Sequence, residues 1–104
     1  MRDFSGGVAV ITGGGSGIGE ALARRFARAG MKIVVADVDP EAAERVRSTL
    51  EQGGHTALAV ETDVANAASV ERLADRAYAA YGSVDLLCNN AGVVPCGRHR
   101  AVWE

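Results

Sequence analysis

A chain of 104 residues has room for one small domain and not for two lobes. Apolar residues make up 48% and charged residues 23%, as in ordinary globular proteins, and a net charge of −2 offers no basic footprint for nucleic acid. No apolar run has the length of a signal peptide or a membrane span, so we predict a cytoplasmic protein that binds neither membranes nor nucleic acid.

The two cysteines, Cys88 and Cys96, are expected to stay unpaired in a reducing compartment. Their separation is not a zinc-binding spacing, and His55 and His99 stand apart from them in the sequence. We therefore predict no metal site.

The first element is a short apolar run over residues 8–12, which has the length and the β-branched content of a buried strand. Five glycines follow at residues 13–19. Glycine loses more backbone entropy on folding than any other residue, so this loop does not serve stability. A strand that turns through bare backbone into a helix presents N–H groups and the positive end of the helix dipole to one point. The loop is therefore predicted to bind an anion.

A helix and a second strand follow the glycine loop. Gly30 stands where a C-terminal cap would end the helix. Apolar side chains at helical spacing predict the buried face of this helix, which carries Ile18, Ala21, Leu22, Phe26 and Ala29. The second strand, at residues 33–37, is apolar on both faces, which predicts a central strand of a parallel sheet.

The second helix has a strong start, because Asp39 is a good cap and Pro40 fits the first helical position. Two glycines, Gly53 and Gly54, are predicted to end it. Its buried stripe is predicted to carry Ala43, Val46 and Leu50.

The last predicted elements are a third strand over residues 56–61, a third helix, and a fourth strand over residues 84–88. The helix is predicted to end at Gly82. Its apolar positions at helical spacing are Val70, Leu73, Ala74, Ala77 and Tyr81.

Alternating strands and helices indicate an α/β fold with a Rossmann-like, doubly wound parallel sheet. Right-handed crossovers and a strand order of 3-2-1-4 place two helices on one face and the third on the other, with the sheet truncated after strand 4. Ligands bind outside the carboxyl ends of the strands at the switch point between strands 1 and 4. The glycine loop and residues 89–92 are predicted to meet there.

Asp37 closes the second strand eighteen residues after Gly19. A carboxylate at this place accepts both hydroxyls of an adenosine ribose and repels a 2′-phosphate. No Arg or Lys occupies residues 14–16 or 38, so the sequence predicts NAD rather than NADP. The alternative is that Asp37 only ends a strand and begins the turn with Asp39 and Pro40.

The spacing of the loop is T-G-x-x-x-G-x-G, carried by Thr12, Gly13, Gly17 and Gly19, and it does not fit the fingerprint G-x-G-x-x-G. It resembles the glycine motif of the short-chain dehydrogenase/reductase family, a Rossmann-fold group of oxidoreductases. An Asp-Val pair at residues 63–64 and Asn-Asn-Ala-Gly at residues 89–92 also resemble that family's pattern. The resemblance extends over residues 8–93.

The resemblance implies a role for each motif. In that family the Asp-Val pair frames the adenine, and the Asn-Asn-Ala-Gly stretch steadies the sheet and lies along the adenosine ribose. Taken alone, Asp63 also fits a turn or a helix cap. The positions assigned to NAD binding are Thr12, Gly13, Ser16, Gly17, Ile18, Gly19, Asp37, Asp63, Val64, Asn90, Ala91 and Gly92.

Catalysis in the family uses a serine, an asparagine, and a tyrosine with a lysine four residues after it, all beyond the Asn-Asn-Ala-Gly stretch. Here Tyr78 is followed four residues later by Gly82, Tyr81 is followed by Asp85, and the only lysine is Lys32. We therefore expect no catalytic residue in this chain. An alcohol or carbonyl substrate is expected only if the second half of the fold is supplied, and a homo-oligomer is compatible with the resemblance.

The expected protein is a single, partial NAD-binding Rossmann domain over residues 1–104, the cofactor half of an oxidoreductase. A second hypothesis is a non-catalytic NAD-binding module or remnant that acts through a partner. A third is a Rossmann-like methyltransferase, although its ligand lacks the pyrophosphate that the loop spacing suits. A P-loop nucleotide hydrolase is excluded, because no Gly-Lys-Ser/Thr follows the glycines.

Overall fold

The computed structural model of the protein describes residues 5–15 and 17–90. Strands and helices alternate through them, as the sequence predicts. The strands are β1 (Val8–Thr12), β2 (Lys32–Asp37), β3 (Ala57–Glu61) and β4 (Leu86–Asn89). The helices are α1 (Gly17–Arg28), α2 (Pro40–Gln52) and α3 (Ala67–Tyr81).

The four strands form one parallel sheet in the order β3-β2-β1-β4, which confirms the predicted strand order. Val10 in β1 is opposite Val34 in β2 on one side and Leu87 in β4 on the other. β2 lies between β1 and β3, and its four middle residues are completely buried, as expected for a central parallel strand. The carboxyl ends of all four strands therefore lie along one edge of the sheet.

The helices cover both faces of the sheet, with α1 and α2 on one face and α3 on the other. On the first face, Ala43, Val46 and Leu50 of α2 pack with Ile11 and Ile33 of the sheet, as predicted for the stripe of α2. On the second face, the α3 residues that pack against the sheet are Leu73 and Ala77, with Tyr81 partly buried beside them. The doubly wound architecture is thus confirmed.

The predicted buried face of α1 is wrong in part. Ile18 is 71% exposed, and Ala21 and Ala29 are also exposed, while Leu22 and Phe26 are only partly buried. The residues of α1 that are buried are the small ones: Gly19, Ala23 and Ala27. The helix lies so close to the end of β1 that large side chains fit only along its flanks.

The strand β4 begins two residues later than predicted and extends one residue further. The side chain of Asp85 explains the late start. Its carboxylate Oδ2 accepts a 2.8 Å hydrogen bond from the backbone N–H of Val8, in the place where a regular strand would offer a carbonyl. The N–H of Asp85 in turn donates to the carbonyl of Val8 at 2.9 Å.

The helix ends follow the predicted signals. The carboxylate of Asp39 caps α2 by accepting hydrogen bonds from the N–H groups of Glu41 at 3.1 Å and Ala42 at 3.3 Å. Gly82 ends α3 in the left-handed conformation, with φ of 81°. No helix in the described part of the chain is long and apolar enough to cross a membrane.

Candidate functional site

The carboxyl edge of the sheet brings together most of the residues that the sequence assigns to a ligand. The glycine loop follows β1, Asp37 ends β2, Asp63 and Val64 follow β3, and Asn90 follows β4. Ser16, Ala91 and Gly92 lie outside the described residues. Parallel α/β sheets bind ligands at this edge.

The glycine loop is held against the end of β2 and the side of α2 by three hydrogen bonds. The N–H of Gly14 donates to the carbonyl of Ala36 at 3.1 Å. The N–H of Gly15 donates to Oδ2 of Asp37 at 2.9 Å, and the carbonyl of Gly15 accepts from Nη2 of Arg45 at 2.6 Å. Both polar groups of Gly15 are therefore satisfied by charged side chains, which fixes the position of the loop.

Two glycines of the loop are required by close packing. A Cβ atom on Gly19 would stand 2.0 Å from the carbonyl oxygen of Gly13, which no side chain tolerates. A Cβ atom on Gly15 would lie 2.7 Å from both Ala42 Cβ and Asp37 Oδ2. Because both residues are glycines, the loop is able to pack closely against α1 and α2.

Gly17, unlike Gly15 and Gly19, is not closely packed. Its φ is +58°, and a Cβ atom on it would meet none of the described residues within 4 Å. It also begins α1, whose first N–H groups have no carbonyl partner inside the helix. Open space in front of these donors, at the positive end of the helix dipole, suits a phosphate group.

Asp37 makes two contacts at the end of β2, one in the turn that the sequence offers as an alternative and one with the glycine loop. Its Oδ1 accepts a 3.0 Å hydrogen bond from the N–H of Asp39, which is the turn at the end of the strand. Its Oδ2 holds the N–H of Gly15, which is part of the loop. The side chain is partly exposed, and a carboxylate oxygen has lone pairs for more than one donor, so hydroxyl groups of a ligand are still able to bind it.

Two clefts open along this edge. One, of about 450 Å³, lies at the start of α2 and is lined by Asp37, Asp39, Glu41, Ala42 and Arg45. The other, of about 570 Å³, lies between the end of β3 and α3, and its lining includes Val38, Asp63 and Ser69. Asp37 and Val38 are consecutive, so the two clefts adjoin at the end of β2.

Asp63 lies in an ordered turn. Its Oδ1 accepts a 3.0 Å hydrogen bond from the N–H of Ala65, and its own N–H donates to Oγ of Ser69 at 2.8 Å. The turn interpretation is therefore correct for its geometry. The side chain is nevertheless exposed and faces the larger cleft, where it is accessible to a ligand.

Thr12 is only 4% exposed and lies beneath the edge. Its Oγ1 lies 2.9 Å from Oδ1 of Asn89 and accepts a 2.9 Å hydrogen bond from the N–H of Asn90. The side chain of Asn90 reaches back toward the carbonyl of Gly13 at 3.5 Å. Thr12 therefore positions Asn90 next to the glycine loop.

Three aliphatic side chains are exposed along the carboxyl edge. Ile18 is 71% exposed, Val38 is 65% exposed and Val64 is 36% exposed. Each follows a different strand, so the strand order places them in a row above β1, β2 and β3. An apolar row beside hydrogen-bonding groups suits a ligand with flat or apolar parts.

Sequence reasoning missed two residues at this site, Val38 and Arg45. Val38 directly follows Asp37, so its position at the edge was available from the strand prediction. Arg45 lies three residues after Ala42 and shares its helix face, which indicates that it reaches the loop side of α2.

The charges beside the loop form a small network. Arg45 Nη1 lies 3.6 Å from Oε1 of Glu20, and Arg24 Nη2 lies 2.8 Å from Oε2 of the same carboxylate. The hydrogen bond from Arg24 lowers the pKa of Glu20 below its ordinary value, so this carboxyl stays ionised. In residues 5–15 and 17–90 no group of three or more His, Cys, Asp or Glu side chains is arranged to hold a metal ion.

Many known proteins are similar in sequence to this chain. It is 48% identical over 97 residues to 1-deoxy-11-beta-hydroxypentalenate dehydrogenase of Streptomyces exfoliatus, a match that covers 92% of this chain and 34% of that protein. It is 49% identical over 90 residues to cis-4-hydroxycyclohexanecarboxylate dehydrogenase of Sinomonas cyclohexanicum, which covers 86% of this chain and 36% of that protein.

A solved structure with the same fold is the crystal structure of a short-chain dehydrogenase/reductase from Burkholderia phymatum in complex with NAD. It matches with a TM-score of 0.82 and 52% identity, over 84% of this chain and 31% of that one. The chain thus spans about a third of the length of the relatives that it matches. Residues 7–102 match the family described as short chain dehydrogenase, and the chain therefore belongs to the short-chain dehydrogenase family.

Proposed function

We propose that this chain is the NAD-binding part of a short-chain dehydrogenase. The observation that carries the proposal is the hydrogen bond between Asp37 Oδ2 and the N–H of Gly15, which holds a ribose-binding carboxylate and a phosphate-binding loop side by side. The proposed domain is a single cofactor-binding unit over residues 1–104, in a cytoplasmic protein. The family match gives no support to the methyltransferase hypothesis.

The residues present fit NAD. The open first turn of α1 at Gly17 would hold the pyrophosphate, and Asp37 would accept the hydroxyls of the adenosine ribose. Asp63 and Val64 would frame the adenine in the larger cleft, with Asn90 next to the ribose. Bound NAD would supply the hydride acceptor for oxidation of a hydroxyl group or, when reduced, the hydride for a carbonyl.

The smaller site residues would act through position. Gly13 and Gly19 allow the close approach of loop and helix, and Thr12 holds Asn90 in place. Ile18 would cover one side of the cofactor with apolar surface, and this role would account for its exposure on α1. For Ser16, Ala91 and Gly92 the proposal rests on the sequence motifs alone.

The substrate would be a small molecule that carries a hydroxyl or carbonyl group. Two similar proteins are named as dehydrogenases of hydroxylated carboxylates, which supports a hydroxyl substrate for this chain as well. The sequence holds no tyrosine with a lysine four residues after it, so we expect the chain by itself to bind the cofactor without turning over substrate. A homo-oligomer is part of this proposal and is testable by light scattering.

Titration of the purified chain with NADH, and separately with NADPH, tests the proposal. Cofactor fluorescence measures binding, and circular dichroism checks that each sample is folded. We expect saturable binding that favours NADH. The variant Asp37→Ala should lose the preference, whereas Asp75→Ala, which removes an exposed carboxylate from the far side of α3, should keep it.

A folded chain that binds neither cofactor would contradict the proposal. If Asp37→Ala binds NADH and NADPH with the same affinities as wild type does, the carboxylate does not bind the ribose. The loop would then still be an anion site.

A further inference from the structure

We propose that Arg45 is a specificity-determining residue that binds a 2′-phosphate on the adenosine ribose once the charge of Asp37 is removed. The inference rests on the proposed function, because it concerns the same cofactor. It goes further in assigning a second residue to the choice between NAD and NADP, one that lies on α2 and outside every sequence motif. In the wild-type chain Arg45 would attract a 2′-phosphate, whereas Asp37 would repel it.

The position of Arg45 is the first step of the argument. Its guanidinium Nη2 binds the carbonyl of Gly15 at 2.6 Å, while Asp37 Oδ2 binds the N–H of the same glycine at 2.9 Å. The two charged groups therefore stand on either side of one residue and line one cleft of about 450 Å³. A group bound at Asp37 would therefore lie beside Arg45.

The availability of the guanidinium is the second step. The side chain of Arg45 is 56% exposed, and its ion pair with Glu20 is long, at 3.6 Å. Arginine has five N–H donors, so the hydrogen bond to Gly15 leaves most of them for a ligand. A guanidinium with free donors at a cleft wall is a good partner for a phosphate, which it binds with two parallel hydrogen bonds.

The charge of the cleft explains why a 2′-phosphate is still rejected. Its lining carries three carboxylates, from Asp37, Asp39 and Glu41, against the single guanidinium of Arg45. The carboxylate of Asp39 is engaged with the first N–H groups of α2. Asp37 is the acid that shares Gly15 with Arg45, so its charge is the one that most directly opposes a phosphate there.

The test compares four forms of the full chain in titrations with NADPH and NADH: wild type, Asp37→Asn, Arg45→Gln, and the double variant. Asparagine keeps an oxygen that accepts the hydrogen bond from Gly15 but removes the charge. We expect Asp37→Asn to bind NADPH about tenfold more tightly than wild type does, the effect of one charge-assisted hydrogen bond. The double variant should lose that gain.

Two further variants serve as controls. Arg47→Gln removes a neighbouring arginine of α2 that pairs with Glu44 and Glu51, and in the Asp37→Asn background it should leave the NADPH gain intact. Asp37→Ser, alone and with Arg45→Gln, repeats the comparison with a smaller side chain if Asp37→Asn does not fold.

The outcomes separate the two proposals. A gain in NADPH affinity that survives Arg45→Gln would overturn the role of Arg45, and so would the absence of any gain in Asp37→Asn and Asp37→Ser. Arg45→Gln in the Asp37→Asn background could also lower the affinities for NADH and NADPH equally. That result would show that Arg45 only clamps the loop, which also overturns the inference. Failure of the wild type to bind NADH would instead contradict the proposed function.

Discussion

The hydroxyl oxygen of Thr12 accepts a 2.9 Å hydrogen bond from the backbone N–H of Asn90, seventy-eight residues away in the sequence. The same oxygen lies 2.9 Å from Oδ1 of Asn89, so the hydroxyl proton has an acceptor on β4 as well. Among the described strands β4 pairs with β1 alone. One buried hydroxyl therefore connects the end of β1 to Asn90, the residue that directly follows β4.

Replacing Thr12 by valine should lower the free energy of unfolding by about 1–2 kcal/mol, because the N–H of Asn90 then loses its acceptor while the shape of the side chain is kept. Thr12→Ser retains the hydroxyl and serves as the control. Urea unfolding followed by circular dichroism measures both variants. A valine variant as stable as wild type would show that the hydroxyl contributes nothing.

Much of this fold was predictable from the sequence, because its local signals agree with the tertiary structure. The apolar run that became β2 is hydrophobic on both faces, and the structure buries it in the centre of a parallel sheet. The capping signals at Asp39 and Gly82 mark the start of α2 and the end of α3 where expected. Such signals act within a few residues, so a single sequence reveals them.

Features that depend on distant packing were not predictable in the same way. The buried face of α1 consists of Gly19, Ala23 and Ala27, whose small side chains give no hydrophobic signal, while the larger Ile18 is exposed. The late start of β4 depends on the Asp85 side chain accepting a hydrogen bond that a carbonyl usually accepts.

The candidate site shows the same division. The spacing of Asp37 and the glycine loop predicts from the sequence that they share a site, whereas the contact of Arg45 with Gly15 depends on how α2 packs beside the loop. A prediction of the helix alone gives the face that Arg45 occupies but not the residue that it meets.

Gly19 should not tolerate even a methyl group. The Cβ atom of Gly19→Ala would stand 2.0 Å from the carbonyl oxygen of Gly13, so the helix must move away from β1. We expect a loss of stability of about 3 kcal/mol or more, in the upper range for an overpacked site. Gly53→Ala is the control, because a Cβ atom there meets its nearest neighbour at 3.5 Å. Similar urea midpoints for the two variants would contradict the close approach of loop and helix.

Gly17 and Gly54 offer a matched pair that separates backbone strain from ligand access. Both have a positive φ, of +58° and +89°, and a Cβ atom on either would meet nothing within 4 Å. Valine at each position should therefore reduce stability through strain, but only Gly17→Val should abolish NADH binding, because its side chain fills the space in front of α1. Titration of the folded fraction of each variant with NADH measures this difference in binding. NADH affinity retained in Gly17→Val, or lost equally in Gly54→Val, would refute the phosphate site.

The cap of α3 should contribute measurably to stability. Oδ1 of Asn66 accepts a 3.0 Å hydrogen bond from the N–H of Ser69. Asn66→Ala leaves that donor without its partner and should lower the free energy of unfolding by about 1 kcal/mol. Asn66→Ser, which is also a good cap, should restore most of the loss. If alanine and serine unfold at the same urea concentration, the cap is unimportant.

The ion pairs of Glu20 should make a small contribution to stability that depends on pH. The hydrogen bond from Arg24 lowers the pKa of Glu20 below its ordinary 4.5, and the charge of Arg45 acts in the same direction. Since the folded state holds the ionised form more strongly than the unfolded state does, the contribution is present above pH 4.5 and is lost as the pH falls through the lowered value. The pairs are near the surface, so we expect only about 0.5 kcal/mol.

Glu20→Gln should therefore be less stable than wild type at neutral pH and approach it in acid, as measured by urea unfolding across the acidic range. Glu71→Gln is the control, because it removes an exposed glutamate from α3 on the opposite face of the sheet. A difference between Glu20→Gln and wild type that stays constant with pH would mean that the carboxylate acts through packing and not through its charge.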